Sequence, residues 1–303
     1  MHKPKIVVAS QMHFTPEQRE RLERLGDVKI YNDLPVSPEE WVERTKYAEI
    51  ICSGKPGLTE KIYEHKNVFY SLPFVAVGWI NKEKLKENNI TVSYCPGCNS
   101  YAVSEWIVAM TLLLMRKFRN LIGTQSLNDK TGSPDYHGLA DKKACILGKG
   151  NVGSKVRKAY EAMGMKVSFF ERGDKLIEKI KNCDIVVNTL SSNEQTEGLL
   201  GQEFYDTFDG KTYFITVTSS KIYNPELMLK ALKENKLLGI ADDCGSAAPG
   251  DYNDQYYQKL LCVPGIIATP HISYQSDVSV RMSNDKMIDN VEAWIKGEPI
   301  NVL

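Results

Sequence analysis

The residues with the most specific chemistry stand in one run, Gly148-Lys149-Gly150-Asn151-Val152-Gly153. Gly-x-Gly-x-x-Gly between a strand and a helix suits a pyrophosphate. The first glycine permits a tight turn, the second lets phosphate approach the backbone, and the third lets helix pack on strand. The free N–H groups of the helix start then face the phosphates. Glu171 follows 23 residues after Gly148, at the end of the next strand. A carboxylate there accepts hydrogen bonds from adenosine ribose hydroxyls and repels a 2′-phosphate, which favours NAD over NADP. Arg172 next door argues the other way, because a guanidinium can hold a 2′-phosphate. A bare β-turn with a surface glutamate would leave strand, glycines, helix and acid as coincidences. Cys95-Pro-Gly-Cys98 has the spacing of a redox or zinc pair. No second pair or histidine cluster joins it, so it reads as a turn with incidental thiols.

These residues need strands and helices to hold them, and the chain is long enough for two domains of ordinary size. Hydrophobic content of 42% and charged content of 25% are those of a soluble globular protein. Lys+Arg and Asp+Glu both number 38, so no global field draws the chain to nucleic acid or membrane. The most apolar helix candidate, Trp106 to Met115, is far shorter than the roughly 20 residues of a membrane span. The chain enters a strand almost at once, without a signal peptide, so the cytoplasm is the expected location. Seven scattered cysteines read as reduced core thiols.

Strands are expected at 5–9, 49–52, 68–71 and 90–93, with helices at 16–25 and from Ser37-Pro38-Glu39-Glu40, a capping hydroxyl followed by Pro and acids. Strict alternation implies a parallel sheet covered on both faces. A long helix is expected over about 101–120, then a polar stretch from Asn128 to Asp141. Alternation restarts at Lys143, with strands at 144–147, 166–170, 184–188, 213–216 and 239–242, and a helix at 152–163. An amphipathic helix, about 279–297, closes the chain. The pattern is that of two doubly wound α/β units.

Beyond the glycine turn, nearly the whole chain resembles the D-isomer-specific 2-hydroxyacid dehydrogenases, which include glycerate, phosphoglycerate, D-lactate and formate dehydrogenases. Val75-Ala76 with Ile80-Asn81 resembles the family's Val-Gly…Ile-Asp turn, whose N–H groups hold a substrate carboxylate. Pro96-Gly97-Cys98-Asn99 with Val103-Ser104-Glu105 resembles its Pro-Gly-x-Asn…Val-Ala-Glu segment. Cys183-Asp184-Ile-Val-Val with Thr196-Glu197-Gly198-Leu199 follows the strand and loop of the adenosine side. Gly239-Ile-Ala-Asp242-Asp243 resembles Gly-x-x-x-Asp, and Thr269-Pro270-His271-Ile272 matches Thr-Pro-His-Ile.

The resemblance implies a flavodoxin-like substrate domain, residues 1–98 plus 273–303, and a Rossmann NAD domain, residues 99–272, with a cleft between them. It also implies a homodimer joined through the nucleotide domain. It places Thr189, Leu190, Thr196, Val217 and Thr218 along the cofactor, Asp243 on the nicotinamide amide, and Val75, Ala76, Asn99 and Ser219 at the substrate. His271 takes the role of the catalytic proton carrier. The family sets an Arg and a Glu beside that histidine. The physics asks for all three, since hydride arriving at carbon leaves an alkoxide to be protonated and Arg donates two parallel hydrogen bonds to a carboxylate.

Here Phe214-Ile-Thr-Val-Thr-Ser219-Ser220 aligns with Phe-Ile-Asn-x-Ala-Arg-Gly, so Ser219 occupies the Arg position and Ala248 the Glu position. Lys221 is either a replacement cation from another angle or a solvated loop lysine. Asp242 competes poorly with Asp243 as a partner for His271, because neighbours on a strand point to opposite faces. Three readings stay open. The chain is an NAD-dependent oxidoreductase for an altered substrate, including one with NAD held tightly for a net non-redox reaction. It is a non-catalytic NAD(H)-binding protein. Or it is an ordinary 2-hydroxyacid dehydrogenase in which Lys221 replaces Arg.

Overall fold

The computed structural model describes residues 3–118 and 136–303. Much of the polar stretch expected over 128–141, and the Asn120 end of the long helix, lie outside the described residues. Two compact units emerge, Met1–Asn99 with Gln275–Leu303, and Ser100–Tyr274.

In the first unit β1 (Lys5–Val8), β2 (Asp27–Ile30), β3 (Ile50–Cys52), β4 (Phe69–Ser71) and β5 (Thr91–Ser93) alternate with α1 (Pro16–Glu23), α2 (Pro38–Thr45), α3 (Leu58–Lys61) and α4 (Lys82–Glu87). All neighbouring strands pair in parallel, in the order β2-β1-β3-β4-β5. The expected caps set the helix starts: Thr15 and Gln18 form a capping box, and the Ser37 hydroxyl accepts from Glu40 N. The C-terminal helix of the chain (Asp277–Ile295) returns to this unit. Its Met287, Ile288 and Val291 join the core, and Trp294 stacks on Phe69 at 4.5 Å.

The second unit opens with α5 (Ser100–Met115). It continues through β6 (Lys143–Leu147), α6 (Asn151–Ala162), β7 (Lys166–Phe170), α7 (Leu176–Ile180), β8 (Ile185–Asn188) and α8 (Gln202–Asp206). β9 (Thr212–Thr216), α9 (Pro225–Lys233), β10 (Leu237–Asp242), α10 (Gln255–Leu261) and β11 (Ile266–Ala268) complete it, and the C-terminal helix becomes α11. The sheet is parallel throughout, ordered β11-β10-β9-β8-β6-β7. Alternate residues of each strand enter different cores: Cys145, Leu147, Val186, Phe214 and Ile240 on one face, Ala144, Ile146, Val187, Ile215 and Ala241 on the other. Burial on both faces explains why these strands read as continuous apolar runs.

Two strands escaped the sequence reading, and both are edge strands. β2 has only two apolar residues and stays largely exposed, and β11 is three residues long. Between β6 and β8 the order of the strands reverses. Ligands of open α/β sheets bind at the carboxyl ends of strands at such a switch point. Among the described residues, no helix is long and apolar enough to cross a membrane.

Candidate active site

The switch point of the second unit carries the glycine turn. Gly148 leaves β6 with φ +100°, a left-handed conformation that a side chain would strain. A Cβ on Gly153 would stand 2.2 Å from the Gly148 carbonyl oxygen, so only glycine lets α6 pack this closely. A Cβ on Gly150 would meet nothing within 4 Å. The space beside Gly150 is therefore open to a ligand, and among the described residues no side chain caps the first-turn N–H groups of α6. These features fit a dinucleotide pyrophosphate. Asn151 is exposed and Val152 is half-buried against the core.

The rim is polar. Glu171 is exposed just past β7, and Lys149 Nζ lies 3.2 Å from its Oε1. Arg172 donates to Gln195 Oε1 at 2.5 Å. The Thr189 hydroxyl donates to the carbonyls of Leu147 (2.9 Å) and Gly148 (3.2 Å), pinning the exit of β8 to the turn. Leu190 beside it is half-buried. Asn188, which the sequence did not single out, is fully buried, and its Nδ2 donates to Thr218 Oγ1 at 2.7 Å, tying β8 to the exit of β9.

Three residues expected along the cofactor also hold loops in place. Thr218 is 8% exposed, with its hydroxyl spent on Asn188. Thr196 closes its own turn, donating to Ser191 O at 2.7 Å. Asp243 has 0% exposure. Its carboxylate accepts from Thr269 Oγ1 (2.5 Å), Ile272 N (2.9 Å) and Ser273 N (2.9 Å), and so holds the 269–273 loop.

That loop presents His271. Its backbone is left-handed (φ +54°), and its N–H donates to Asp243 O at 2.7 Å. The imidazole Nδ1 stands 2.9 Å from Ala247 O. A carbonyl only accepts, so Nδ1 carries the proton and Nε2 keeps its lone pair in the neutral ring. Tyr274 packs edge-on at 5.8 Å. Ala248, next along the chain, is exposed.

Ser219 lies half-buried after β9, next to half-buried Val217 on the same segment. Its Oγ accepts from Lys221 N at 3.3 Å and its carbonyl from Ile222 N at 3.0 Å, forming a turn. The turn is laced to the 244–248 loop. Ser220 N and Oγ reach Ser246 Oγ at 2.9 and 2.5 Å, and a Cβ on Gly245 would strike Thr218 O at 2.4 Å. The Lys221 side chain is 70% exposed and lies 3.7 Å from Glu197. That geometry is a solvated surface pair, worth little in energy, as the solvated-lysine alternative for Lys221 expects. The side chains of 216–220 and 244–248 are then all neutral.

In the first unit Val75 is half-buried on the core, Ala76 is exposed and Asn99 is half-buried. Asn81 caps α4, accepting from Glu83 N and Lys84 N. Cys95 and Cys98 are buried thiols, and burial pushes both above the ordinary range, which suits an inert pair.

Residues 108–273 match the family described as "D-isomer specific 2-hydroxyacid dehydrogenase, NAD binding domain", more than half of the chain. A glycerate dehydrogenase of Methylorubrum extorquens is 25% identical over 285 residues, spanning 88% of this chain and 89% of that protein. A D-3-phosphoglycerate dehydrogenase of Dictyostelium discoideum is 23% identical, spanning 89% and 70%. Among solved structures, an acyclic imino acid reductase in complex with NADPH and D-Arg superposes with a TM-score of 0.81 at 21% identity, over 99% of each chain. The NAD-complexed D-isomer specific 2-hydroxyacid dehydrogenase of Lactobacillus delbrueckii ssp. bulgaricus gives 0.79 at 19%, again over 99% of each. The two parallel-sheet units share that fold. The chain belongs to the D-isomer-specific 2-hydroxyacid dehydrogenase family, and its general role is that of an oxidoreductase using a nicotinamide cofactor.

Proposed function

We propose that the protein transfers hydride between NAD(H) and a small hydroxy/oxo substrate that is not anchored by a charged carboxylate contact, with His271 moving the proton. The observation that carries this reading is the His271 ring itself. Nδ1 is spent on Ala247 O, so Nε2 is the nitrogen left to exchange a proton. Gly148, Gly150, Gly153 and the N-terminus of α6 would hold the pyrophosphate, and bound there the nicotinamide supplies or takes up hydride. In the oxidative direction Nε2 of the neutral ring accepts the hydroxyl proton, and in the reductive direction the imidazolium returns it to the alkoxide oxygen. Ser219 offers that substrate a neutral hydrogen bond where the family has a guanidinium. NAD is favoured over NADP by the exposed Glu171 carboxylate, since its weak pairing with Lys149 leaves it able to meet ribose hydroxyls. We also propose a cytoplasmic homodimer joined through the nucleotide domain.

The test is NADH oxidation against a panel. It contains pyruvate, glyoxylate and hydroxypyruvate, their uncharged amide or ester counterparts, simple aldehydes and ketones, and imino acids, the last because one structural neighbour is an acyclic imino acid reductase. Turnover with an uncharged carbonyl and none with the 2-oxo acids supports the reading. Fast turnover of the 2-oxo acids by the unmodified protein contradicts it.

A further inference from the structure

We infer that Asp242 is a positioning residue for His271, acting through the 244–247 loop from the opposite face of the sheet. The inference rests on the reading of His271 as the proton carrier.

Asp242 ends β10 with 0% exposure. Its Oδ2 accepts from Tyr223 OH (2.7 Å) and Tyr256 OH (2.8 Å), and its Oδ1 from Cys244 N (2.7 Å). A carboxylate inside a core is costly unless every lone pair is used, and here three donors are supplied from three separate places in the chain. The Cys244 bond is the consequential one. Cys244 sits at φ +48°, which is strained for a residue with a side chain, and an Asx-type bond from the preceding carboxylate holds it there. Cys244 O then accepts from Ala247 N at 2.8 Å, and Ala247 O receives His271 Nδ1.

Asp243 works from the other side, gripping Thr269, Ile272 and Ser273 around the histidine backbone. Adjacent carboxylates on opposite faces thus fix the two halves of one contact. Asp243 sets where the ring sits, and Asp242 sets where its acceptor sits. With Ala248 exposed, no side-chain carboxylate among the described residues holds the ring, so the place of the Ala247 carbonyl has to be set from within the core. Burial, with the neighbouring charge of Asp243 adding to it, pushes Asp242 up to about 6, against the pull of Tyr223, Tyr256 and Cys244 N. Tyr205, whose buried hydroxyl has no hydrogen-bond partner among the described residues, feels the charge of Asp242.

The experiment is 15N NMR of histidine-labelled full-length protein at alkaline pH, with the His271 ring assigned by its loss in His271→Gln. In the unmodified protein the ring is expected in the single Nδ1–H pattern. Asp242→Asn replaces an acceptor with a donor, and it should shift His271 toward a mixture of tautomers. Tyr256→Phe should do so less strongly. NADH affinity at the remote glycine turn should change by less than about threefold in both, as expected for separated sites. A folded Asp242→Asn protein with unchanged His271 shifts overturns the proposal, as does an unmodified ring protonated on Nε2. If Asp242→Asn does not fold, Tyr256→Phe decides, and unchanged shifts there overturn it. An Nδ1–H ring that responds to these variants, in a protein inert toward every carbonyl offered, would sink the oxidoreductase reading while sustaining the role of Asp242.

Discussion

A carbonyl and a carboxylate select the same imidazole tautomer, but only the carboxylate adds a charge that favours the cation. His271 rests on Ala247 O, so proton exchange has to come from Nε2. Replacing His271 by Ala should lower kcat/KM for whichever substrate is found by about 10²- to 10⁴-fold, with NADH affinity unchanged; steady-state kinetics beside fluorescence titration checks both. Asp242 makes a separate prediction. Its folded value of about 6 lies above the ordinary aspartate value of 3.8, so between these pH values the folded state holds a proton that the unfolded state has lost. Stability from this group is therefore greatest below pH 4 and falls by about 3 kcal/mol as pH rises to 6. Urea melts at pH 4 and 6.5 should show that decline in the unmodified protein and a flatter profile in Asp242→Asn. The motif around His271 and the glycine run were legible from the chain alone. The Asp242 cluster was not, because its tyrosines lie 19 and 14 residues away and no periodicity or spacing links them to it. Ser246 and Asn188 stayed hidden for the same reason.

At the scale of elements, the β6–turn–α6 unit separates packing from ligand contact. Gly153→Ala drives a Cβ into Gly148 O and should destabilise the protein by about 1–3 kcal/mol, with loss of NADH binding. Gly150→Ala has room and an allowed φ of −77°. It should leave stability within about 1 kcal/mol and weaken NADH by at least about tenfold, because the new methyl occupies the approach of the phosphates. Thermal melts with and without NADH distinguish the two, and equal loss of stability would contradict this account of the turn. Strands β3, β4, β6, β8, β9 and β10 were readable because burial on both faces leaves nearly uninterrupted apolar runs, and the edge strands β5 and β7 because Val92 and Val167, Phe169 and Phe170 still mark them. β2 and β11 were not, since an edge strand needs few apolar residues and a three-residue strand carries almost no period.

For the whole molecule, the chain leaves the first unit at Asn99 and returns at Gln275, so the first unit depends on its last helix. Removing residues 277–303 would strip Met287, Ile288, Val291 and Trp294 from its core. That should unfold the first unit while the second still binds NADH, a combination visible as a lost melting transition with retained cofactor fluorescence. The alternation of strands made both units legible. The substrate was not, because Ser219 and Ala248, which align by resemblance with the family's Arg and Glu, carry no charge that names a ligand. The most direct test is therefore the NADH-oxidation panel run in parallel on the unmodified protein and on Ser219→Arg/Ala248→Glu. The account predicts turnover of an uncharged carbonyl compound by the unmodified protein, and 2-oxo-acid reduction only in the double variant. Rapid reduction of pyruvate, glyoxylate or hydroxypyruvate by the unmodified protein would contradict it.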